Sequence, residues 1–416
     1  MSSVARLVFG IGRDLYVVLL AVAIAELFFI PGGDLLHDGT RKIVVGLSVC
    51  FVLAKVAGLT DKGPSGMWRT ANRTKTTTSG TVQAMDWASV EMQGWRPAME
   101  DAVRVVGSLP ASLEQRALFA VFDGHGGEQV SKIAAAKFPD VLAECARGFC
   151  EAAGGEAVPQ EGDGRPRAKA ARAEADRQSE IAGKSLHQAM LRMDEELRKL
   201  GGSGSVAVRP PRGLAAERLE LHERRNAFSL TGSTAIVVLV DYSEDDGRPK
   251  RLTVANCGDS RAVLCRNGEA VELSQDHKPE LPAEEERIKG AGGHVALAGV
   301  CHRIDGWGLN LSRALGDFHY KSRADLPPEK QKVSCVPEVR FLELTGADEF
   351  LLLGCDGIFE LHSSQAAVDV VRGALRAGGS VAGAAELLVD RSCSPDLMAT
   401  RGKGGDNCSA IVVRLR

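Results

Sequence analysis

Residues 119–127 read FAVFDGHGG, an apolar run that ends in an aspartate and a glycine-rich turn. A short apolar run bounded by glycine and aspartate is typical of a buried β-strand. Similar runs precede Asp259 in ANCGDSRAV and Asp356 in LLLGCDGIF, and one follows Asp406 in GGDNCSAIVV. The pattern predicts a strand-rich fold in which loops at strand ends carry four aspartates, Asp123 being the first.

Carboxylates that gather in one place need cations, because a buried charge without a partner is costly. Hard divalent ions such as Mg²⁺ and Mn²⁺ take oxygen ligands, and no histidine or cysteine recurs at the spacing that zinc needs. The four aspartates therefore predict metal-assisted attack on a phosphate ester.

Two neighbouring motifs supply the other groups that such a reaction uses. In GWRPAMEDA, Arg96 offers a planar fork of donors that matches a phosphate, and Glu100 with Asp101 could order water around an ion. In DGHGG, the Gly124 carbonyl could bind an ion and His125 could protonate a departing alcohol. Taken singly, each motif has a structural alternative, a surface ion pair for the first and a hydrogen-bonded turn for the second.

The fold class predicted from the runs is α+β. The sequence RNGE at 266–269 lies between two apolar runs and predicts a tight hairpin, hence antiparallel pairing. Apolar spacing predicts helices at 128–145, 185–200 and 364–376. Residues 151–183 and 201–212 are poor in large apolar side chains, so we expect inserted surface loops there.

The N-terminal region 1–61 holds two apolar runs, 15–30 and 43–59, which are slightly shorter than the roughly 20 residues of an upright membrane span. We expect a membrane anchor, although core helices or a cleaved targeting peptide would also fit. Residues 62–80 are predicted to be a polar linker before a catalytic domain at 84–416. The positive charges of this linker favour a membrane-associated chain whose catalytic domain faces the cytosol. Without an anchor, we expect the protein to be cytoplasmic or organellar.

Composition excludes some partners. The 416 residues carry a formal net charge of -3, which gives no case for nucleic acid. The ten cysteines have no paired spacing and mostly apolar neighbours, which indicates reduced thiols in a reducing compartment. We expect a monomer.

From about residue 84 to the C-terminus, the ordered segments resemble the motif series of one family, the metal-dependent serine/threonine protein phosphatases of type 2C, also called PPM-type. The segments are GWRPAMEDA, FAVFDGHGG, TGSTAIVVLV, ANCGDSRAVL, DHKP, ERIKGAGGHV, LNLSRALGDFHYK, LLLGCDGIFE and GGDNCSAIVVRL. The resemblance implies a four-layer α-β-β-α sandwich of two antiparallel sheets flanked by helices. It does not reach the apolar N-terminus, which we expect to be an extension of this domain. It also implies phosphorylated proteins as substrates.

The resemblance implies a site for two Mg²⁺ or Mn²⁺ ions at one edge of the sandwich. In that pattern Asp123 bridges both ions, the Gly124 carbonyl binds one, and Asp356 with Asp406 completes the other. Asp259 matches a position that is linked to a third, weaker ion in some relatives.

The remaining roles also follow from the resemblance. Glu100 and Asp101 would hold waters on the ions, Arg96 would bind the substrate phosphate, and His125 would be the general acid. Glu360 stands where relatives often have aspartate, which bears on the third ion. Two other functions stay open, a catalytically inactive binding module with the same fold and a metal phosphohydrolase that acts on a small metabolite.

Overall fold

The computed structural model describes most of the chain, namely residues 70–110, 113–154, 167–202 and 227–415. The predicted anchor runs, residues 15–30 and 43–59, lie outside the described residues, as does 203–212 of the second predicted loop. Among the residues that are described, no helix combines the length and apolarity that a bilayer crossing requires.

Within these ranges the chain forms sixteen strands, six α-helices and one 3₁₀ turn at Pro328–Lys330. The helices are α1 Gln129–Gly154, α2 Arg167–Gly202, α3 Pro282–Gly290, α4 Asp356–Phe359, α5 Ser364–Arg376 and α6 Val381–Ser392. The first eight strands are β1 Asn72–Val82, β2 Met85–Gly94, β3 Ala102–Val106, β4 Arg116–Phe122, β5 Gly124–His125, β6 Gly232–Ser233, β7 Ala235–Tyr242 and β8 Pro249–Cys257. The others are β9 Arg261–Arg266, β10 Glu269–Glu272, β11 Val295–Ala298, β12 Cys301–Ile304, β13 Leu315–Gly316, β14 Glu338–Glu343, β15 Asp348–Gly354 and β16 Cys408–Leu415.

Two antiparallel sheets form the framework. One has the order β1-β2-β16-β15-β9-β10 and the other β14-β8-β7-β4-β3. Side chains alternate across β4: Phe119 and Val121 join a core with residues of the first sheet and of α5 and α6, whereas Leu118 and Phe122 join a core with α1 and α2. Because strand side chains point to opposite faces in turn, the second sheet is apolar on both faces. Antiparallel sheets flanked by helices are thus confirmed.

Several local predictions are confirmed. The hairpin at 266–269 connects antiparallel β9 and β10, and Asn267 and Gly268 have φ angles of 52° and 88°. The helix predicted at 364–376 is α5, and those predicted at 128–145 and 185–200 lie within α1 and α2. Seven of the nine described cysteines are buried.

The prediction of a linker at 62–80 is wrong from residue 72 onward, because Asn72–Val82 is strand β1, paired with β2 at the sheet edge. Threonine-rich sequence suits an edge strand that is mostly exposed, so the strand shows no apolar alternation. Polar contacts hold it to α6: Lys75 Nζ pairs with Asp390 at 2.8 Å, and Thr77 Oγ1 donates to Glu386 at 2.7 Å.

The prediction of a loop at 151–183 is wrong at both ends, since 151–154 belong to α1 and 167–183 belong to α2. Residues 155–166 lie outside the described residues. Alanine, arginine, lysine and glutamate have high helix propensity, which outweighed the scarcity of large apolar side chains. Ile181 and Ala182 of this stretch are buried. Gly201 and Gly202, predicted to be loop, are the last residues of α2.

Candidate active site

The segment DGHGG leaves the second sheet at the end of β4. The backbone N–H of Asp123 donates to Thr234 Oγ1 at 3.1 Å, and the N–H of Thr234 donates to the Asp123 carbonyl at 2.9 Å. The next two residues form β5, which pairs with β6, and β6 pairs in turn with β13. Asp123 and His125 therefore stand on backbone that is fixed by strand pairing.

Gly124 lies against the segment that carries Glu100. A Cβ atom on Gly124 would be 2.2 Å from the Glu100 carbonyl oxygen and 2.8 Å from Ser131 Oγ, so only glycine fits. Ser131 Oγ donates to that same carbonyl. The close approach brings residues 100 and 101 beside residues 123 and 124.

Asn407 attaches the start of β16 to the same place. Its Nδ2 donates to the carbonyls of Gln93 at 2.8 Å and Ala98 at 3.0 Å, and its Oδ1 accepts from the Glu100 N–H at 2.9 Å. Asp406, the preceding residue, is thereby held beside the loop of Arg96. This amide side chain extends the pairing of β2 with β16 to the loop that follows β2.

Asp356 begins α4 directly after β15. A Cβ atom on Gly357 would be 2.0 Å from the Asn407 carbonyl, so the start of α4 packs tightly on the Asp406–Asn407 turn. Glu360 Oε2 accepts from the Gly404 N–H at 2.7 Å, which occupies one oxygen of this longer carboxylate.

The carboxylates raise one another's pKa values. Burial, and then the charge of Asp406, raises the pKa of Asp101 to about 7. Burial raises the pKa of Asp123 well above its ordinary value, and the charges of Asp101, Asp356, Asp406 and Asp259 add to the shift. Burial also raises the pKa of Asp356 well above its ordinary value, and the charges of Asp259 and Asp406 add to this shift. The site is thus short of positive charge.

Two cationic side chains reach this group. Arg96 Nη2 pairs with Asp406 Oδ2, and Lys278 Nζ pairs with Asp259 Oδ2. Burial opposes the charged form of Lys278, but Asp259 outweighs it and raises the lysine pKa. Arg96 is half-exposed, so its guanidinium can also meet a ligand from solvent.

His125 pairs with a residue of the LNLSRALGDFHYK motif. Its Nε2 lies 2.6 Å from Asp317 Oδ2. Burial lowers the pKa of His125, but Asp317 outweighs burial and raises it overall, with smaller contributions from Asp259 and Glu100. The charges of Asp259 and Glu100 act on His125 because the histidine belongs to the same site.

The donor set fits hard divalent cations. All its anionic groups are carboxylates, they repel one another, and Asp101 Oδ2 is buried with no hydrogen-bond partner. In the described part of the chain, no three acidic, histidine or cysteine side chains are placed so that they could already hold a metal ion together. This agrees with the two ion pairs, because Arg96 and Lys278 engage Asp406 and Asp259. The arrangement can bind cations beside a group that recognises phosphate.

All nine predicted site residues lie in or beside this centre, and three further residues belong to it. Asn407 follows Asp406 in the last motif, and Lys278 lies in DHKP, but the sequence pattern predicts no role for either residue. Asp317 is 192 residues from His125, and no spacing rule connects them. The sequence signal for Asp317 is its position after Gly316 within the motif LNLSRALGDFHYK.

Comparison with known proteins identifies the family of this chain. The family profile described as "Protein phosphatase 2C" matches residues 85–399. The chain is similar to "Probable protein phosphatase 2C 42" of Oryza sativa subsp. japonica, with 34% identity over 82% of this chain and 87% of the relative. It is also similar to "Protein phosphatase 2C 1" of Paramecium tetraurelia, with 35% identity over 83% and 97%.

Solved structures resemble the fold. A phosphatase of Toxoplasma gondii matches with a TM-score of 0.57 and 25% identity, over 82% of this chain and 96% of that one. A serine-threonine phosphatase 2C of the same organism matches with a TM-score of 0.59 and 21% identity, over 82% and 99%.

Proposed function

Because this chain belongs to the protein phosphatase 2C family and is a protein-serine/threonine phosphatase, we propose that it hydrolyses phosphoserine and phosphothreonine with two divalent cations, Mg²⁺ or Mn²⁺, and no covalent phosphoenzyme. The observation that carries the proposal is the gathering of buried, mutually repelling carboxylates beside a half-exposed arginine. A surplus of buried negative charge requires cations from outside the chain.

Four residues would hold the two ions: Asp123, the carbonyl of Gly124, Asp356 and Asp406. When bound, the ions supply an activated water and neutralise charge on the phosphate oxygens. Glu100 and Asp101 would orient the water around them, since Asp101 has one oxygen without a partner.

Two side chains would act on the substrate. Arg96 would bind the phosphate through its planar fork of donors, which it presents toward solvent. His125 would give a proton to the departing alkoxide, because breaking the P–O bond leaves an electron pair on that oxygen. Strand pairing of β5 would keep the imidazole in place during this transfer.

Asp259 would belong to a third, weaker cation position. Its partner Lys278 occupies one carboxylate oxygen, which would keep affinity there low. Glu360 would contribute little, because Gly404 engages one of its oxygens. We further propose the four-layer arrangement of sheets and helices as the scaffold, supported by the two cores on either face of the second sheet.

The test is hydrolysis of a phosphothreonine peptide by the full-length chain with Mn²⁺ or Mg²⁺ or with chelator. We expect activity only with metal, and loss of that activity in Asp356→Asn. Asp390→Asn is the matched control, because Asp390 is a partly exposed acid on α6 that pairs with Lys75 away from the centre.

Three results would contradict the proposal. A folded wild-type chain without activity at saturating metal would favour a binding module. Activity that survives chelation would exclude the metal mechanism. Faster turnover of small phosphorylated metabolites than of phosphopeptides would favour a metabolite phosphohydrolase, since a protein phosphatase gains transition-state binding from remote contacts.

The N-terminal region is proposed to attach the catalytic domain to a membrane, on its cytosolic side. The runs at 15–30 and 43–59 are the support for this proposal. Alkaline carbonate should leave a tagged full-length chain in the membrane fraction. Extraction without detergent would show that the chain does not span the bilayer.

A further inference from the structure

The carboxylate of Asp317 is fully buried and meets His125 through one oxygen. Asp317 Oδ2 lies 2.6 Å from His125 Nε2, whereas Oδ1 has no hydrogen-bond partner among the described residues. Burying a carboxylate without a hydrogen-bond donor is strongly unfavourable, because the charge loses its hydration and gains nothing in return. The hydrogen bond from the His125 imidazole therefore offsets part of the free-energy cost of burying the Asp317 carboxylate.

The backbone around Asp317 is shaped for this contact. Asp317 has a φ of 52°, in the left-handed region that side chains other than glycine seldom adopt. Its N–H donates to the Thr231 carbonyl at 3.0 Å, and its carbonyl accepts from the Tyr320 N–H at 2.9 Å. Such an unfavourable conformation persists only where its surroundings impose it, and it is common at functional sites.

Gly232 leaves the space that the pair occupies. It lies opposite His125 in the β5–β6 ladder and opposite Gly316 in the β13–β6 ladder. A Cβ atom on Gly232 would be 2.1 Å from Asp317 Oδ2 and 2.6 Å from His125 Nε2. The three short strands thus bring the two side chains together across a glycine.

We propose that Asp317 is a positioning residue that fixes the imidazole of His125 for proton transfer. The inference rests on the proposed function of His125 as proton donor. Asp317 accepts the Nε2–H, so the ring orientation is fixed and Nδ1 is the nitrogen that remains for proton transfer. A histidine in such a contact is set in one tautomer by its carboxylate.

The proton and electron balance is simple. Water forms the new P–O bond, the old P–O bond breaks, and its electron pair goes to the leaving oxygen. That oxygen takes the proton from Nδ1, and the proton lost by the attacking water returns to the imidazole through solvent. The Nε2 proton stays on the ring, hydrogen-bonded to Asp317 throughout.

The kinetic test uses aryl phosphates that range from good to poor leaving groups, together with the phosphothreonine peptide. The full-length wild type is compared with Asp317→Asn, His125→Gln and the double variant. Asparagine has the same shape and tolerates the left-handed backbone, but it carries no charge. A good leaving group needs no proton, so only poor leaving groups should depend on a correctly held donor.

For Asp317→Asn we expect kcat to fall about 10- to 100-fold for the peptide and the poorest aryl group, and less than about threefold for 4-nitrophenyl phosphate. The dependence on the leaving group should approach that of His125→Gln. The double variant should be no slower than His125→Gln, because the two residues act as one unit. Equal losses for all leaving groups, or additive losses in the double variant, would overturn the inference.

Asp194→Asn is the matched control for damage to the same turn. Asp194 is also buried, and its Oδ1 accepts from the Gly316 N–H at 2.8 Å and from Lys321 Nζ at 2.5 Å, yet it does not contact His125. Its substitution should leave the leaving-group dependence as in the wild type. If kcat of Asp194→Asn depended more strongly on the leaving group than kcat of the wild type, any disturbance of the turn would have this effect, and the result for Asp317→Asn would not support the inference.

A second measurement does not require turnover, and it requires only that His125→Gln folds. Long-range ¹H–¹⁵N spectra of the wild-type chain, with the His125 signals assigned by their loss in His125→Gln, should show a proton on Nε2 of the neutral ring. A bare Nε2 would overturn the inference while leaving the phosphatase proposal intact. A wild type without metal-dependent hydrolysis would instead overturn the proposed function and, with it, the role of the pair.

Discussion

Two buried groups of charges lie close together in this protein and are balanced in opposite ways. The carboxylate centre, made of Asp101, Asp123, Asp259, Asp356 and Asp406, has more negative than positive charge. The arginine–glutamate cluster, made of Glu284, Arg287 and Arg313, places two guanidiniums on one carboxylate. Glu284 receives Arg313 Nη2 and Arg287 Nη1 at 2.6 Å each, and Ser312 Oγ at 2.5 Å.

The pKa values record this difference. Burial raises the pKa of Glu284, but its hydrogen bonds and the two arginines outweigh burial and hold it at about 2. In the carboxylate centre, burial and neighbouring charges act in the same direction and raise the pKa of Asp101 to about 7. The two groups are joined through one motif. The N–H of Ser312, whose Oγ donates to Glu284, donates to the His277 carbonyl at 2.9 Å, and the next residue, Lys278, pairs with Asp259.

This difference in charge balance distinguishes buried charges that have a structural role from buried charges that have a functional role. A cluster whose carboxylate is hydrogen-bonded to cations of the same chain needs no ligand from outside, even though burial lowers the pKa of one of those cations, Arg287. A cluster of one sign destabilises the empty protein and gains its stability from a ligand. Substitutions in the two groups should therefore change activity and stability with opposite patterns.

The largest effect is expected for Asp123→Asn in the carboxylate centre. Loss of a carboxylate that would hold the proposed ions should remove several kcal/mol of transition-state stabilisation, which corresponds to a fall in kcat/KM of about a thousandfold. In chelator, the same change should not lower the free energy of unfolding and should raise it by about 1 kcal/mol, because one repelling charge is gone. Phosphopeptide kinetics and urea unfolding with chelator measure the two parts.

Asp241→Asn is the matched control for Asp123→Asn, since Asp241 is also an acid of the second sheet but pairs with Arg116 Nε at 2.7 Å. Asp241→Asn should keep its phosphopeptide activity, and its free energy of unfolding should fall. A less stable Asp123→Asn protein in chelator would show that the centre is balanced by groups within the chain.

Glu284→Gln is expected to have the next largest effect, and on stability alone. It leaves Arg287 and Arg313 buried without their carboxylate, so the free energy of unfolding should fall by about 3 to 5 kcal/mol. Activity per folded molecule at saturating Mn²⁺ should stay within about threefold of the wild type, because surface and structural sites act mainly through the folded fraction. A large loss of kcat in fully folded protein would place Glu284 in the catalytic machinery.

Sequence reasoning predicted the carboxylate centre better than the arginine–glutamate cluster, for a physical reason. Asp123, Asp356 and Asp406 each lie beside an apolar run and a glycine, so local sequence indicates both the strand and the loop. Glu284 lies among three consecutive glutamates on a short helix, and nothing local distinguishes it from a solvent-exposed acid. Its partner Arg313 is 29 residues away, and their contact depends on tertiary packing.

The same limit applies to the fold. The Asn267–Gly268 turn and helix α5 were predicted because their signals are local. Strand β1 was missed because its stability comes from pairing with β2 and from contacts with α6, which a polar sequence does not reveal. The His125–Asp317 pair was missed for the same reason.

A pH series should separate the balanced cluster from the rest of the protein. The pKa of Glu284 is about 2 in the folded protein and has an ordinary value of 4.5. A depressed folded pKa adds stability that is complete above pH 4.5 and is lost as the pH falls toward 2. The stability gap between the wild type and Glu284→Gln should therefore narrow by about 3 kcal/mol in that range.

Urea midpoints at pH 7, 5, 4 and 3 would measure this gap for both proteins in chelator. Global acid unfolding affects both proteins alike, so only the difference between them is informative. A gap that stays constant from pH 5 to pH 3 would mean that the arginines do not hold the Glu284 carboxylate in its charged form.

The smallest effect is the gain in stability from metal, and it connects the two groups. Binding to the folded state alone should add about 2.7 kcal/mol to the free energy of unfolding at a Mg²⁺ concentration of 100 times Kd. Glu284→Gln should show the same increment as the wild type, because the loss in its cluster and the gain in the carboxylate centre involve different charges and should add. Asp123→Asn should show little of it. Urea unfolding with and without Mg²⁺ measures this increment for the three proteins. If the increment disappeared in Glu284→Gln, the link through His277 and Lys278 would couple the two groups. The arginine–glutamate cluster would then help to prepare the carboxylate centre for its ions.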